Sequence, residues 1–190
     1  MKCTNWLLLS LLVCFISCVK SPQDDKPELI KIEGFSLTDS YGNYTGQVGE
    51  TDTDWRLIDW KLLTPLEKSF LDFADEINMA NTRVTRVLSP VAFPNPFPQQ
   101  SYFYMHADDS VKLKIALVDA KGYVWRNMAV KMKGNKLVYF DFSNDKELPS
   151  GTSLRCYFSF SSITQHHFKT GYGDLKICRD SDEYSSCFLP

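Results

Sequence analysis

The sequence predicts a mainly β protein: an antiparallel β-sandwich with one short helix near its amino-terminal side. Three observations carry this. From Val84 onward, apolar residues alternate with polar ones in short runs separated by turn residues, the period of half-buried strands. Upstream, one segment combines a capping signature with apolar residues at helical spacing. The 190 residues are 44% hydrophobic and 23% charged, enough for one ordinary domain with its own core. That composition excludes a disordered, collagen-like or polytopic membrane chain. A formal net charge of -2 leaves no basic footprint for nucleic acid.

Taken in order, Leu29–Leu37 alternates and reads as a first strand. Residues 38–54 are rich in Gly, Asp, Thr, Ser and Asn and read as a loop or a poorly defined hairpin, and Trp55–Leu63 reads as a second strand. Thr64-Pro65-Leu66-Glu67 places threonine at N-cap, proline at N1 and glutamate at N3, a capping box. Leu66, Phe70, Phe73 and Ile77 then form one stripe, so the helix is expected to run to about Asn78 and to lie as a lid on a sheet. Val84–Phe93 is a strand that ends in Phe93-Pro94-Asn95-Pro96-Phe97-Pro98, where prolines forbid regular pairing. Ser101–His106 follows, with Tyr102 and Tyr104 on the face opposite Phe103 and Met105. Val111–Leu117 points Val111, Leu113, Ile115 and Leu117 inward, and Asp119–Gly122 turns. Tyr123–Lys133 points Met128, Val130 and Met132 inward and Trp125 outward. Gly134-Asn135 is a two-residue hairpin signal, after which Lys136–Phe142 returns with Val138, Phe140 and Phe142 inward. Leu154–Ser161 and Gly173–Cys178 complete the set.

The first residues carry an address. Lys2 precedes the apolar run Trp6–Ile16, which is shorter than the ~20 residues a spanning helix needs and fits a secretory h-region. Phe15-Ile16-Ser17-Cys18 resembles a bacterial lipobox. The resemblance implies cleavage before Cys18 and acylation of that cysteine, and several acyl chains anchor a protein stably to a membrane. Val19 stands where lipoproteins retained in the inner membrane carry aspartate, which points to the outer membrane, on its periplasmic or cell-surface face. Lys20–Glu28 is polar, charged and proline-containing, an extended tether, and resembles the acidic export signal of surface lipoproteins in Bacteroidota-type bacteria. Without residues 1–17 the chain holds 20 basic and 23 acidic residues. Its own charge therefore does not hold it to an anionic lipid surface.

Of six cysteines, Cys3, Cys14 and Cys18 belong to the signal region, leaving Cys156, Cys178 and Cys187. In an oxidising compartment an odd number reads as one pair and one thiol. Cys156 shares the inward parity of Leu154, Phe158 and Phe160, whereas Cys178 has the opposite parity to Leu175 and Ile177. The expected disulfide is therefore Cys178–Cys187, with Cys156–Cys178 as the competing pairing.

Phe93-Pro94-Asn95-Pro96-Phe97, followed by the strand Val111–Val118 and the turn Asp119-Ala120-Lys121-Gly122, is similar to the Ig-like domains of type IX secretion sorting modules and of flagellar hook-cap proteins. The resemblance spans about Val84 to Cys178 and implies an Ig-like antiparallel β-sandwich. The chain has its own amino-terminal lipid signal and an acidic, cysteine-containing end, so what carries over is architecture rather than a sorting role. The expected organisation is a signal peptide over 1–17, a lipidated tether over 18–28, amino-terminal strands and helix packed on the sandwich over 29–83, the Ig-like sandwich over 84–178 and a tail over 179–190.

Chemistry-bearing motifs are sparse. The sequence has no G-x-S-x-G, H-E-x-x-H, P-loop or G-x-G-x-x-G, the patterns that place nucleophiles, zinc or phosphates. His106, His166 and His167 lack the spacing of a zinc site. Asp39, Asn43, Glu50, Asp52 and Asp54 form the best oxygen cluster for calcium, though without EF-hand spacing; the expected reading is a solvated acidic loop. No cofactor or metal is expected. The candidate ligand-facing aromatics are Tyr102, Tyr104 and Trp125, since aromatic rows on a sheet stack on sugars or peptides. The function expected is non-catalytic: a lipid-anchored binding or assembly module with a protein or glycan partner in the envelope. Surface glycan capture is the alternative, and a small envelope hydrolase comes third.

Overall fold

The computed structural model describes residues 29–52, 54–79, 85–179 and 187. The expected signal peptide, the expected tether and Cys18 lie outside the described residues. Within them the chain is mainly β, with antiparallel strand pairs and one α-helix. Its strands are β1 (Gly34–Thr38), β2 (Tyr44–Gly49), β3 (Arg56–Ile58), β4 (Val91–Phe93), β5 (Gln100–Asp119), β6 (Val124–Asp141), β7 (Ser153–Ser161) and β8 (Lys169–Lys176); the helix α1 is Pro65–Leu71. The hairpin β1–β2 stands alone, so of the two readings of residues 38–54, loop or hairpin, the structure forms the hairpin. The other six strands form one sheet in the order β3-β8-β7-β5-β4, with β6 on the remaining edge of β5.

The sandwich-like shape comes from curling that single sheet. The first half of β5 pairs with β4 and the last half of β6, while its second half pairs with β7 and the first half of β6. The bend sits between Ala107 and Val111. There Ala107 pairs with Gly134 and Val111 with Met132, so three residues of β5 oppose one of β6. Two extra residues preserve the two-residue period, and Ala107 and Val111 both face inward, fully buried. Gly134 adopts a φ of 70°. The hairpin predicted at Gly134-Asn135 is therefore a correction: the positive φ is used to bend a continuous ribbon, not to reverse it. Ser101–His106 and Val111–Leu117 are likewise one strand.

The inner faces of the two halves make the main core. Phe103 of the first half lies 5.8 Å from Phe158 of the second, ring centre to ring centre, and 6.2 Å from Phe140 beside it. Leu113, Ile115, Leu117, Val138, Phe140, Phe158 and Phe160 are all buried, as the alternation predicts. Trp55, from the amino-terminal segment, joins the same core.

A second cluster covers the outer face of the second half. Ala116, Val118 and Tyr157 on the sheet meet Ile30, Leu63, Phe70 and Leu71. The capping box forms: Thr64 Oγ1 accepts from Glu67 N at 3.2 Å, and Thr64 N donates to Glu67 Oε2 at 2.7 Å. The helix stops at Leu71, seven residues before the expected end. From Phe73 the chain forms no regular element, and Phe73, Asp75, Ile77 and Met79 are half-buried on alternate positions. Asp75 bonds Lys112 Nζ through both oxygens at 3.1 Å and pairs with Lys114, whose Nζ also donates to the Phe73 carbonyl. Two lysines on the outer face of β5 thus hold as a strap a segment whose apolar residues also fit a helix.

The Pro-Asn-Pro-Phe turn closes the curled sheet. Asn95 Nδ2 donates to the carbonyls of Ser36 and Asp174 at 2.8 and 2.9 Å, and its Oδ1 accepts from Lys176 N at 2.9 Å. Phe97 then bonds the end of β8 through Lys176 O and Cys178 N. Below this seam, Arg155 holds Asp174 through two bonds at 2.7 and 2.8 Å and donates to the Lys31 carbonyl. Asp54 accepts from the backbone N–H groups of Ser36 and Asp174. A buried polar seam therefore joins β1, β8 and the turn. Cys178 and Cys187 are linked by a disulfide with a Cα–Cα distance of 5.7 Å, and Cys156 is a buried free thiol.

Candidate binding face

The two outer faces of the curled sheet are unlike. The second half is covered by α1, the strap and the amino-terminal segment. Among the described residues no helix or strap lies over the first half, and four of its outward side chains, Phe93, Tyr102, Tyr104 and Tyr139, are aromatic. Register aligns them in rows: Phe93, Tyr102 and Tyr139 in one, and Val91, Tyr104 and Leu137 in the next. Alternation forces this placement, because Phe103, Met105, Val138 and Phe140 between them are buried.

Ring centres are 5.8 Å apart for Phe93–Tyr102 and 5.3 Å for Tyr102–Tyr139, at interplanar angles of 33° and 41°. This spacing is that of attractive tilted aromatic pairs. The rings hold one another as a ledge yet keep surface free: Tyr102 is 39% exposed, Tyr139 44% and Leu137 52%. At the β4 side, the tip of the β1–β2 hairpin closes in, with Gly42 against the Phe93 ring. At the β6 side the ledge is open.

Polar groups mark the ends of the ledge. Tyr104 Oη donates to Asn135 Oδ1 at 2.9 Å, and His106 bonds Asn135 Oδ1 through Nδ1 at 2.7 Å and Asp108 through Nε2 at 3.0 Å. The bonds to Asn135 and Asp108 raise His106 above the ordinary histidine value. At the other end Asp141 is held below the carboxylate range by Ser143. Tyr139 is raised by partial desolvation and by Asp141, so its hydroxyl is neutral at physiological pH. The face thus offers rings, hydroxyls, one imidazole and one carboxylate.

Tyr102 and Tyr104 come together on this face, but Trp125 does not join them. A bulge between Leu117 and Val118, which pair with Arg126 and Val124, takes Trp125 out of strict alternation. Its ring packs against the inner core, its Nε1 donates to Asp119 Oδ2 at 3.0 Å, and Tyr123 meets it edge-on at 5.0 Å. The outward parity expected for Trp125 is corrected accordingly. Phe93, Leu137 and Tyr139 complete the face without having been singled out from sequence. The signal for Leu137 and Tyr139 was there, in their alternation with inward Val138 and Phe140.

The other candidate chemistry takes structural roles. Asp39 spends its oxygens within its own turn, accepting from the N–H groups of Tyr41 and Asn43 and from Asn43 Nδ2. Asp54 is turned into the polar seam. Among the described residues no group of three or more His, Cys, Asp or Glu side chains is placed to hold a metal ion. Ser159 Oγ lies 2.6 Å from His167 Nδ1, a serine–histidine contact, but Ser159 is 1% exposed. His167 stacks on Trp60 at 3.8 Å and 6°, and burial lowers its basicity. The serine orients the ring rather than meeting solvent.

Comparison with family models, with curated proteins and with solved structures gives no match for this chain.

Proposed function

We propose that this chain is a non-catalytic binding module of the cell envelope, tethered to the outer membrane through acylated Cys18 and engaging its partner through the ledge of Phe93, Tyr102, Tyr104, Leu137 and Tyr139. One observation carries the reading: one outer half of the sheet is sealed by a helix and a strap, while the other presents mutually braced aromatic rings to solvent. Rigid aromatics of this kind contribute most of the energy of protein contacts, because they bury large area with few rotamers to order. A protein partner fits the tilt of the rings, which presents ridges and not one flat plane. A glycan is the second reading, favoured by the hydrogen-bonding groups of Gln100, Asn135 and Asp141 at the ends of the rows.

The test uses the mature chain carrying Cys18→Ala, so that lipid does not contribute. It is added to envelopes isolated from the producing cells, and co-sedimentation is measured with and without Tyr102→Ser and Tyr139→Ser together. Saturable binding that falls at least about tenfold in the double variant, with an unchanged circular dichroism spectrum, is expected. No binding, or binding indifferent to the two tyrosines, overturns the reading. Prior digestion of the envelopes with protease or with glycosidases separates protein from glycan.

A further inference from the structure

The ledge ends at a sheet edge. β6 pairs with β5 from Val124 to Asp141, and among the described residues no strand lies on its other side. The sheet's other terminal strands, β3 and β4, are three residues long. β6 therefore offers the long open edge, and half of its backbone N–H and C=O groups face away from β5.

The side chains along this edge indicate what would sit there. The aromatic row runs Phe93, Tyr102, Tyr139 across three strands and stops at β6, where Leu137 and Tyr139 are more exposed than Tyr102. They lack the cross-strand neighbour that Tyr102 has on both sides. Further along the same outward face come Lys133 and Lys131, both exposed. Lys133 pairs with Asp109. Antiparallel pairing of two copies about the middle of β6 would set these lysines against their own counterparts, and like charges opposite one another destabilise a sheet. Lysines on an edge oppose self-association and complement an acidic strand.

We infer that β6 accepts an added strand: an extended segment of a partner protein, with acidic side chains opposite Lys131 and Lys133 and apolar or aromatic ones beside Leu137 and Tyr139. The inference rests on the proposed binding role of the ledge and names its partner. Main-chain bonds to β6 give affinity, and the alternation of rings and lysines gives register. Residues 131–139 run through the bend at Gly134, so a nine-residue segment that follows the bend covers both features.

The probes are end-blocked nine-residue peptides with glutamate at positions 1 and 3, tyrosine at positions 7 and 9 and threonine elsewhere, matching Lys131, Lys133, Leu137 and Tyr139, together with the peptide of reversed sequence so that both chain directions are tested. They are added to the mature chain carrying Cys18→Ala, and amide exchange over residues 131–139 is followed by NMR. In one direction the peptide should slow exchange at alternate β6 amides by at least about tenfold, and replacing its glutamates by lysines should weaken binding at least about tenfold. N-methylating alternate peptide nitrogens should abolish binding for one of the two alternating sets and spare the other, since only one set faces β6. No protection of β6 by either peptide at about 1 mM, or an affinity of about 1 mM insensitive to N-methylation in both sets, overturns strand addition. Envelope binding that still depends on Tyr102 and Tyr139 would then leave the ledge as a side-chain surface, so the two failures are distinguishable.

Discussion

Gly173→Ala is a substitution whose cost follows directly from the packing of one side chain. Gly173 lies on β8 opposite Cys156, and a Cβ there would stand 2.1 Å from Trp55 Cδ2 and 2.4 Å from both Cε2 and Cε3. Trp55 is 8% exposed, rests on Phe103 at 5.7 Å and has a left-handed backbone with φ 53°. The ring would have to retreat about 1.3 Å to reach ordinary contact, towards a Phe103 ring that already fills the space. Forcing a methyl into a packed core costs about 1–3 kcal/mol, and losing a buried tryptophan altogether costs about 3–5 kcal/mol. The expected destabilisation is therefore about 3 kcal/mol, where the two ranges meet. Urea titration followed by tryptophan emission measures it, and a red-shifted native spectrum should accompany it. The control is the same change on a Trp55→Ala background. With the ring gone, alanine in a strand is favoured over glycine by roughly 0.5–1 kcal/mol, so the substitution should be neutral or stabilising there. A cost under about 0.5 kcal/mol in the parent, or equal costs in both backgrounds, refutes the argument that this glycine exists to seat Trp55.

Phe140→Ala should destabilise by about 3–5 kcal/mol in the same titration, because the ring is 2% exposed and braced by Phe103; a loss under about 1 kcal/mol would mean that its inward orientation is wrong. Burial pushes Asp174 up to about 6 against the pull of Arg155, and Asp54 is raised as well, again by burial. A carboxyl whose folded pKa exceeds its unfolded one binds its proton more tightly when folded. Its contribution to stability is then greatest below about pH 4 and declines as pH rises towards 6. Plotted against pH, the stability difference between the parent and Asp174→Asn should change in that window in this sense; a difference that is flat, or that grows with pH, contradicts it. Cys18→Ala should release the protein from the membrane fraction and abolish labelling by a clickable fatty acid, which unchanged labelling would refute.

Local alternation and capping chemistry made much of this molecule legible. The inward residues of β5, β6 and β7 follow from a two-residue period, and the helix start follows from Thr64 and Glu67. What escaped depends on partners distant in sequence. Residues 72–78 read as helix because Phe73 and Ile77 fit its period, but Lys112 and Lys114 capture Asp75 and the Phe73 carbonyl. Gly134-Asn135 reads as a reversal because left-handed glycine serves a tight turn and a bulge equally well. Asn95 lies between prolines and looks like turn filler, yet its amide ties β1 to β8 through three bonds. The ledge was half visible. Tyr102 and Tyr104 share a face by parity, but their joining with Phe93, Leu137 and Tyr139 required the register of three strands, and the bulge that removes Trp125 leaves no mark in the sequence.

The proposed role stands or falls with the ledge being the surface that meets a partner. Photo-crosslinking in the producing cells tests this most directly, with p-benzoylphenylalanine placed at Tyr139 in one strain and at Lys61, exposed on the helix-covered side, in another. The predicted result is a discrete adduct from position 139 after irradiation and none from position 61. Adducts from 61 alone, or equal adducts from both, would contradict it.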